Sequence, residues 1–286
     1  MKANRAGRTK VELPFLLLCC SLSFMVGFFG SGLFLQGLPG DGWARRRSME
    51  EARADEVELP AVPHGLTGES NPALIAFQVL SWKPRAFYFP KFATVDQCQT
   101  IIKTAKSRLE PSTVALRKEE TVPINNGIRT SSGAFLSASE DSTGTLEQIE
   151  KKIARVTMLP TENGEAFNVL RYETGQRYAS HYDAFSPDVY GPQESHRVAT
   201  FILYLTDVEE GGETVFPFEN GSNMDIRYDY EKCIGLKVKP RKGDGLLFYS
   251  MFTNHTIDPT SLHGSCPVIK GQKWVATKWI RDQIQD

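Results

Sequence analysis

Lys273 to Ile280 reads KWVATKWI. In an extended strand, alternate side chains share a face. Lys273, Val275, Thr277 and Trp279 therefore fall on one face, and Trp274, Ala276, Lys278 and Ile280 on the other. A lysine heading an apolar face needs a counter-charge if that face points inward, because burying an unpaired ammonium is costly. A ligand carboxylate would supply it. Taken alone, the stretch fits an exposed strand-end lysine better, and the rest of the chain has to decide.

Working outward, strands dominate after Pro160. AFNVLRY, RYASHYD, RVATFILYL, ETVFP, GLKVKP and GLLFYS are short and rich in β-branched and aromatic residues, with Gly or Pro between them. Earlier, FQVLSWKPRAFYFPKF gives strand-like apolar pairs from about Ala76. Thr94 predicts the cap of a helix from Val95 to about Leu109. A second helix is expected from near Ser142, with Leu146, Ile149, Ile153 and Val156 on one face. Short strands following two helices predict an α+β, β-rich fold: a barrel or jelly roll with the helices packed on one side of a sheet. No internal repeat is present.

The N-terminus reads differently. No charged residue occurs from Leu13 to Leu38, a run long enough for the ~20 apolar residues that span a bilayer core. This predicts a short tail (1–12), a signal-anchor transmembrane helix (13–38), a stem rich in Arg, Glu, Gly and Pro (39–75) and a folded domain (76–286). Basic residues flank both ends of the run, so the positive-inside rule favours an inside N-terminus only weakly. Two sequons, Asn220-Gly-Ser222 and Asn254-His-Thr256, are compatible with a lumenal domain. An oxidising lumen permits one disulfide. Cys233 and Cys266 are the better pair, because both lie in the region that folds around the site, and Cys98 sits in a helical pattern. The net charge of −1 gives no reason to propose nucleic acid as a partner. Nothing in the sequence specifies an oligomeric state.

The chemistry lies in SHYDAF and SLHGSCP. His181 and Asp183 are two residues apart, so on a strand both point the same way. Two histidines and one carboxylate form the facial triad that holds non-haem iron(II) with open positions. The third ligand is His255 or His263. His255 lies inside a sequon, which argues for a wet loop. His263 precedes a glycine that permits close backbone approach, and is the better candidate. Lys273 follows ten residues later, placed to bind the far carboxylate of a bidentate acid such as 2-oxoglutarate.

RTSSGAFL, RYETGQRYASHYD, RVATFILYLTDVEEGGETVFP, KPRKGDGLLFY and SLHGSCPVIKGQKWVATKWI resemble the catalytic domain of plant-type prolyl 4-hydroxylases, over about Leu80 to Asp282. The resemblance implies a double-stranded β-helix, iron(II), 2-oxoglutarate, dioxygen and ascorbate. It implies hydroxylation of peptidyl proline in the endoplasmic reticulum or Golgi, of the procollagen-proline 4-dioxygenase type. By position it implies that Tyr172 and Thr214 join Lys273 at the 2-oxoglutarate carboxylate. It also implies that Tyr178, Arg197 and Trp279 face a proline-rich peptide. Arg281 stands where some relatives carry a histidine. The segments TVPINNGIRTSSG and FSPDVYGPQES are marked by Gly and Pro and long enough for a lid. A peptidyl lysyl hydroxylase would use the same chemistry, and a non-catalytic binding module would not need the intact ligand set. A glycosyltransferase would leave the triad unexplained, and the chain has no D-x-D motif.

Overall fold

The structure, a computed structural model, describes residues 75–121, 127–224 and 227–284, which fall in the compact unit Leu74–Asp286. The apolar run 13–38 and the stem lie outside the described residues. Among the described residues, no helix is long and apolar enough to cross a membrane.

The chain opens with a hairpin of β1 (Gln78–Trp82) and β2 (Arg85–Phe89). Helix α1 (Val95–Lys106) follows, then β3 (Glu110–Pro111), β4 (Ser132–Leu136) and α2 (Thr145–Thr157). Next come β5 (Phe167–Tyr172), β6 (Tyr178–His181), the single turn α3 (Pro187–Tyr190) and β7 (Arg197–Tyr204). β8 (Glu210–Gly211), β9 (Thr214–Phe216), β10 (Leu236–Val238) and β11 (Gly245–Tyr249) lead to the last three strands. These are β12 (His263–Ser265), β13 (Val268–Lys270) and β14 (Lys273–Arg281).

Among the described residues, an eight-stranded sheet runs β1-β2-β11-β7-β14-β5-β4-β3, and a four-stranded sheet runs β10-β9-β12-β6. β13 and β8 form a separate pair, and every pairing is antiparallel. The architecture is β-rich with few helices, consistent with a jelly-roll core.

β14 divides the apolar interior as its alternation predicts. Trp274, Ala276 and Ile280 join Ile101 and Ala105 of α1 and Leu146, Ile149 and Ile153 of α2 in one cluster. Val275 joins Tyr172, Ile202, Tyr204 and Phe248 of the large sheet with Phe216 and Val238 of the small one. One face of the large sheet thus carries the helices, and the other meets the small sheet. Lys278 points to the helix side, where its ammonium is buried against Glu150 of α2.

The helix ends differ from expectation for local reasons. α1 starts as predicted: Thr94 accepts from Gln97 N, and the Gln97 side chain returns the bond to Thr94 N. It stops at Lys106 rather than near Leu109, because Glu110 and Pro111 are drawn into β3 against β4. α2 begins at Thr145 rather than Ser142. The Asp141 carboxylate accepts from Thr143 N and Leu146 N, so the cap comes from upstream of the helix. Val156 packs on the core only at its margin.

Candidate metal centre and substrate cleft

β6 and β12 are antiparallel neighbours, and His181 is the direct register partner of His263. The approach is close because Gly264 carries no side chain. A Cβ there would stand 3.0 Å from both Tyr178 O and Ser180 Oγ. Asp183 does not lie on the strand, as the HxD spacing suggested; β6 ends at His181. Asp183 is held after the strand end by Thr200 of β7, whose hydroxyl donates to Oδ2 at 2.7 Å. Its carboxylate stands 3.6 Å from His181 Nε2 and 3.4 Å from His263 Nε2.

Each imidazole is oriented through its other nitrogen. His181 Nδ1 donates to Ala179 O at 2.9 Å, and His263 Nδ1 to Ser261 O at 3.0 Å. Both bonds direct the Nε2 lone pair into the site. Tyr178 stacks on the His181 ring, with centroids 3.7 Å apart at 21°. Burial would raise the Asp183 carboxyl, but the imidazoles of His263 and His181 hold it well below the usual carboxylate range. Burial, with His263 beside it, keeps the His181 imidazole below its ordinary value. The outcome is a carboxylate and an unprotonated imidazole, the forms that bind metal.

The three ligand atoms lie within 4.8 Å of one another. Two imidazole nitrogens and one carboxylate fit iron(II) in a facial triad. His255 is no part of this site; its side chain is largely exposed and faces Asp282 at 3.7 Å. The other cluster found among the described residues, Glu213 with Cys233 and Cys266, is a disulfide site instead. Cys233 and Cys266 are bonded, with Cα atoms 5.6 Å apart, and Cys98 is a buried free thiol, both as expected.

Lys273 is buried, 2 % exposed, on the face of β14 that meets the small sheet. Its Nζ donates to Ser265 Oγ at 2.8 Å and stands 5.3 Å from the centroid of the Tyr172 ring. Register places these groups together: Lys273 pairs with Tyr172 across β14–β5, and Ser265 with Thr214 across β12–β9. Tyr204 donates to Thr214 Oγ1 at 2.8 Å. Burial pushes the Lys273 ammonium down to about 7, with Glu213 opposing. The Tyr172 hydroxyl, raised by burial, hydrogen-bonds Ser131 and Arg129. Lys273, Tyr172 and Thr214 thus fall in one buried polar cluster whose ammonium a carboxylate would complement.

Tyr178, Arg197 and Trp279 line a cleft of about 1170 Å³ that reaches His181 and Asp183. Ile128 and Arg129 of the first suspected lid segment, and Phe185, Val189 and Tyr190 of the second, complete its wall. Lys118 N donates to Val189 O at 3.0 Å, tying the strap before residue 121 to α3. Arg197 lies over the Trp279 ring at 3.7 Å and the Phe185 ring at 4.8 Å. Glu165 grips it with two bonds of 2.7 Å, to Nε and Nη2. Arg281 holds the other side of Glu165, with Nε 2.7 Å from Oε1 and Nη1 bound to Ser195 O and Oγ. Burial would raise the Glu165 carboxyl, but these two guanidiniums hold it low.

The reading of the sequence missed Thr200, Ser265, Tyr204, Arg129 and Glu165. Thr200 left a signal, a hydroxyl in the otherwise apolar run VATFIL. Glu165 left none, since its partners are 32 and 116 residues away.

A jelly-roll-like core with this donor set defines a class, the 2OG-Fe(II) oxygenase superfamily, and residues 167–281 match it. Two Arabidopsis thaliana proteins narrow it. Probable prolyl 4-hydroxylase 9 is 62% identical over 279 residues, covering 98% of this chain and 96% of that protein. Prolyl 4-hydroxylase 13 is 52% identical over 279 residues, covering 97% of each. A viral collagen prolyl hydroxylase from Paramecium bursaria Chlorella virus 1, solved as its 2-oxoglutarate complex, superposes with a TM-score of 0.51 at 25% identity. That match covers 68% of this chain and 95% of the viral one. The chain belongs to the prolyl 4-hydroxylase family.

Proposed function

We propose that this chain hydroxylates C4 of proline in extended, proline-rich stretches of secretory and cell-wall proteins, using iron(II), 2-oxoglutarate, dioxygen and ascorbate. In this reading it is a single-pass type II protein of the endoplasmic reticulum or Golgi, with the catalytic domain lumenal. The observation that carries the reading is the triad of His181, Asp183 and His263 lying between a buried ammonium and an aromatic cleft. The disulfide and the uncharged run 13–38 support the compartment.

Bound at the triad, iron(II) supplies the activation of dioxygen coupled to 2-oxoglutarate decarboxylation. The protein does the rest. Lys273, with Ser265, Thr214 and Tyr172 around it, takes the distal carboxylate of 2-oxoglutarate. Ala179 O and Ser261 O keep both imidazoles in the tautomer that presents Nε2. Thr200 holds the Asp183 carboxylate in place. The cleft receives the peptide against Tyr178 and Trp279, and Arg197 offers its remaining N–H donors to peptide carbonyls. A polyproline II chain suits this cleft. It is ordered before docking, has no internal hydrogen bonds, and is the form that aromatic grooves recognise. Ile128 and α3 wall the cleft, where they would limit the access of water to the reacting carbon.

Turnover of 2-oxoglutarate to succinate by the purified domain tests this reading. Proline-rich peptides should stimulate it, and lysine-bearing collagen-like peptides should not. Stimulation by the lysine peptides alone would transfer the assignment to lysyl hydroxylation.

A further inference from the structure

The mechanism uses neither sequon, and the two differ in ways the sequence does not show. We propose that Asn254, and not Asn220, is the acceptor of an N-linked glycan; this rests on the lumenal placement above.

Asn254 stands at the tip of a tight loop closed by the Met251–Ile257 bridge and by Phe252 N donating to Thr256 O at 2.8 Å. The residue is exposed, as are its neighbours from Phe252 to Thr256. Its carboxamide is held by the threonine of its own sequon. Oδ1 accepts from Thr256 N at 3.1 Å and from Thr256 Oγ1 at 2.7 Å. A backbone N–H can only donate, so the atom facing it is the carbonyl oxygen and the amide orientation is fixed. Nδ2 then points away from the turn. Among the described residues it makes no hydrogen bond, so a sugar on it displaces nothing. The loop runs directly into Ile257, so the glycan projects from the rim of the cleft.

Asn220 is placed otherwise. Its Nδ2 is spent on Glu219 Oε1 at 2.5 Å, and that carboxylate also takes the Ser81 hydroxyl of β1 at 2.9 Å. Its backbone N donates to Lys83 O at 2.7 Å in a left-handed turn, φ 52°. Ser222 uses its own N–H on Glu219 O. A sugar on Asn220 Nδ2 would crowd the Glu219 carboxylate, the group that also holds this turn to Ser81 at the edge of the large sheet.

The transfer balances without any redox partner. Nδ2 attacks the anomeric carbon of an oligosaccharide carried on a polyisoprenyl diphosphate. The N–C bond forms, the C–O bond to the diphosphate breaks, the polyisoprenyl diphosphate leaves, and the amide gives up one proton.

The test expresses the full chain in a eukaryotic secretory system and treats intact microsomes with protease. The protected domain is then deglycosylated enzymatically in ¹⁸O-water and mapped by mass spectrometry. The expected result is a protected domain with the ¹⁸O-aspartate label at position 254 and none at 220. Thr256→Ala should abolish the label and Thr256→Ser retain it, with 2-oxoglutarate turnover confirming that both variants fold. A protected domain with an unlabelled Asn254, or any label at Asn220, overturns the proposal and leaves the lumenal placement standing. A domain digested from outside the intact vesicles overturns both.

Discussion

Lys273 places an ammonium where, among the described residues, the hydrogen-bond partner of its Nζ is a serine hydroxyl. Removing it takes away a charge-assisted bond worth about 1.5–3 kcal/mol. Lys273→Ala should therefore raise the 2-oxoglutarate requirement on the order of tenfold to a hundredfold and leave the iron requirement unchanged. Titrating turnover against each separately checks this, and equal 2-oxoglutarate affinity in both proteins removes Lys273 from the site. The same residue sets a pH dependence. Its ordinary value of 10.5 falls to about 7 in the fold. Between those values the unfolded chain keeps a proton that the ligand-free fold has lost, so stability without ligand rises with pH across that window. A dicarboxylate restores the ammonium. Binding should take up a proton above pH 7 and weaken as pH climbs toward 10. Calorimetry in two buffers of different ionisation enthalpy, with a redox-inert divalent ion in the triad, measures that uptake; buffer-independent heats would contradict it. Glu165 supplies a third expectation. Glu165→Gln loosens Arg197 while leaving the triad untouched, so the peptide KM should rise about tenfold, or ~1.4 kcal/mol, with the 2-oxoglutarate KM unmoved. An equal rise in both would mean a general loss of structure.

At the scale of elements, the Cys233–Cys266 bond joins the chain before β10 to the end of β12, across 33 residues. β12 carries His263 and Ser265, so the crosslink steadies one metal ligand and the partner of Lys273. In the chain-entropy model a loop of this size contributes ~3–4 kcal/mol. Cys233→Ser should lower the thermal midpoint by about 10 °C for a domain of this size, read by calorimetry of the oxidised proteins. No change would mean that the bond does not form. The elements themselves were unequally legible. β5, β7, β11 and β14 stand out in the sequence because β-branched and aromatic runs end at glycine or charge. β3, β8 and β13 do not, since strands of two or three residues carry no period and exist only through their partners. His181 and His263 were legible as ligands by type and spacing. Asp183 was right as a ligand for an incomplete reason: Thr200, rather than strand alternation, sets its direction. Arg197 was read as facing the peptide; its tie to Glu165 was not legible, because that tie crosses the fold.

At the scale of the molecule, the parts occupy separate regions with separate tasks. One face of the large sheet carries α1 and α2 and supports the fold; the other meets the small sheet and holds the polar pocket of Lys273. The cleft opens from the triad between α3 and the strand region around Ile128 and Arg129. This arrangement predicts that the dicarboxylate and the peptide bind independently enough to be resolved by separate substitutions, as Lys273 and Glu165 are above. The central claim is that iron held by His181, Asp183 and His263 delivers one atom of dioxygen to a peptide proline. The most direct measurement is tandem mass spectrometry of a proline-rich peptide after reaction under ¹⁸O₂ with iron(II), 2-oxoglutarate and ascorbate. The account predicts one ¹⁸O on C4 of each modified proline, one succinate formed per oxygen incorporated, and no product from His263→Ala. Unmodified proline alongside full 2-oxoglutarate turnover, or product that survives loss of His263, would contradict it.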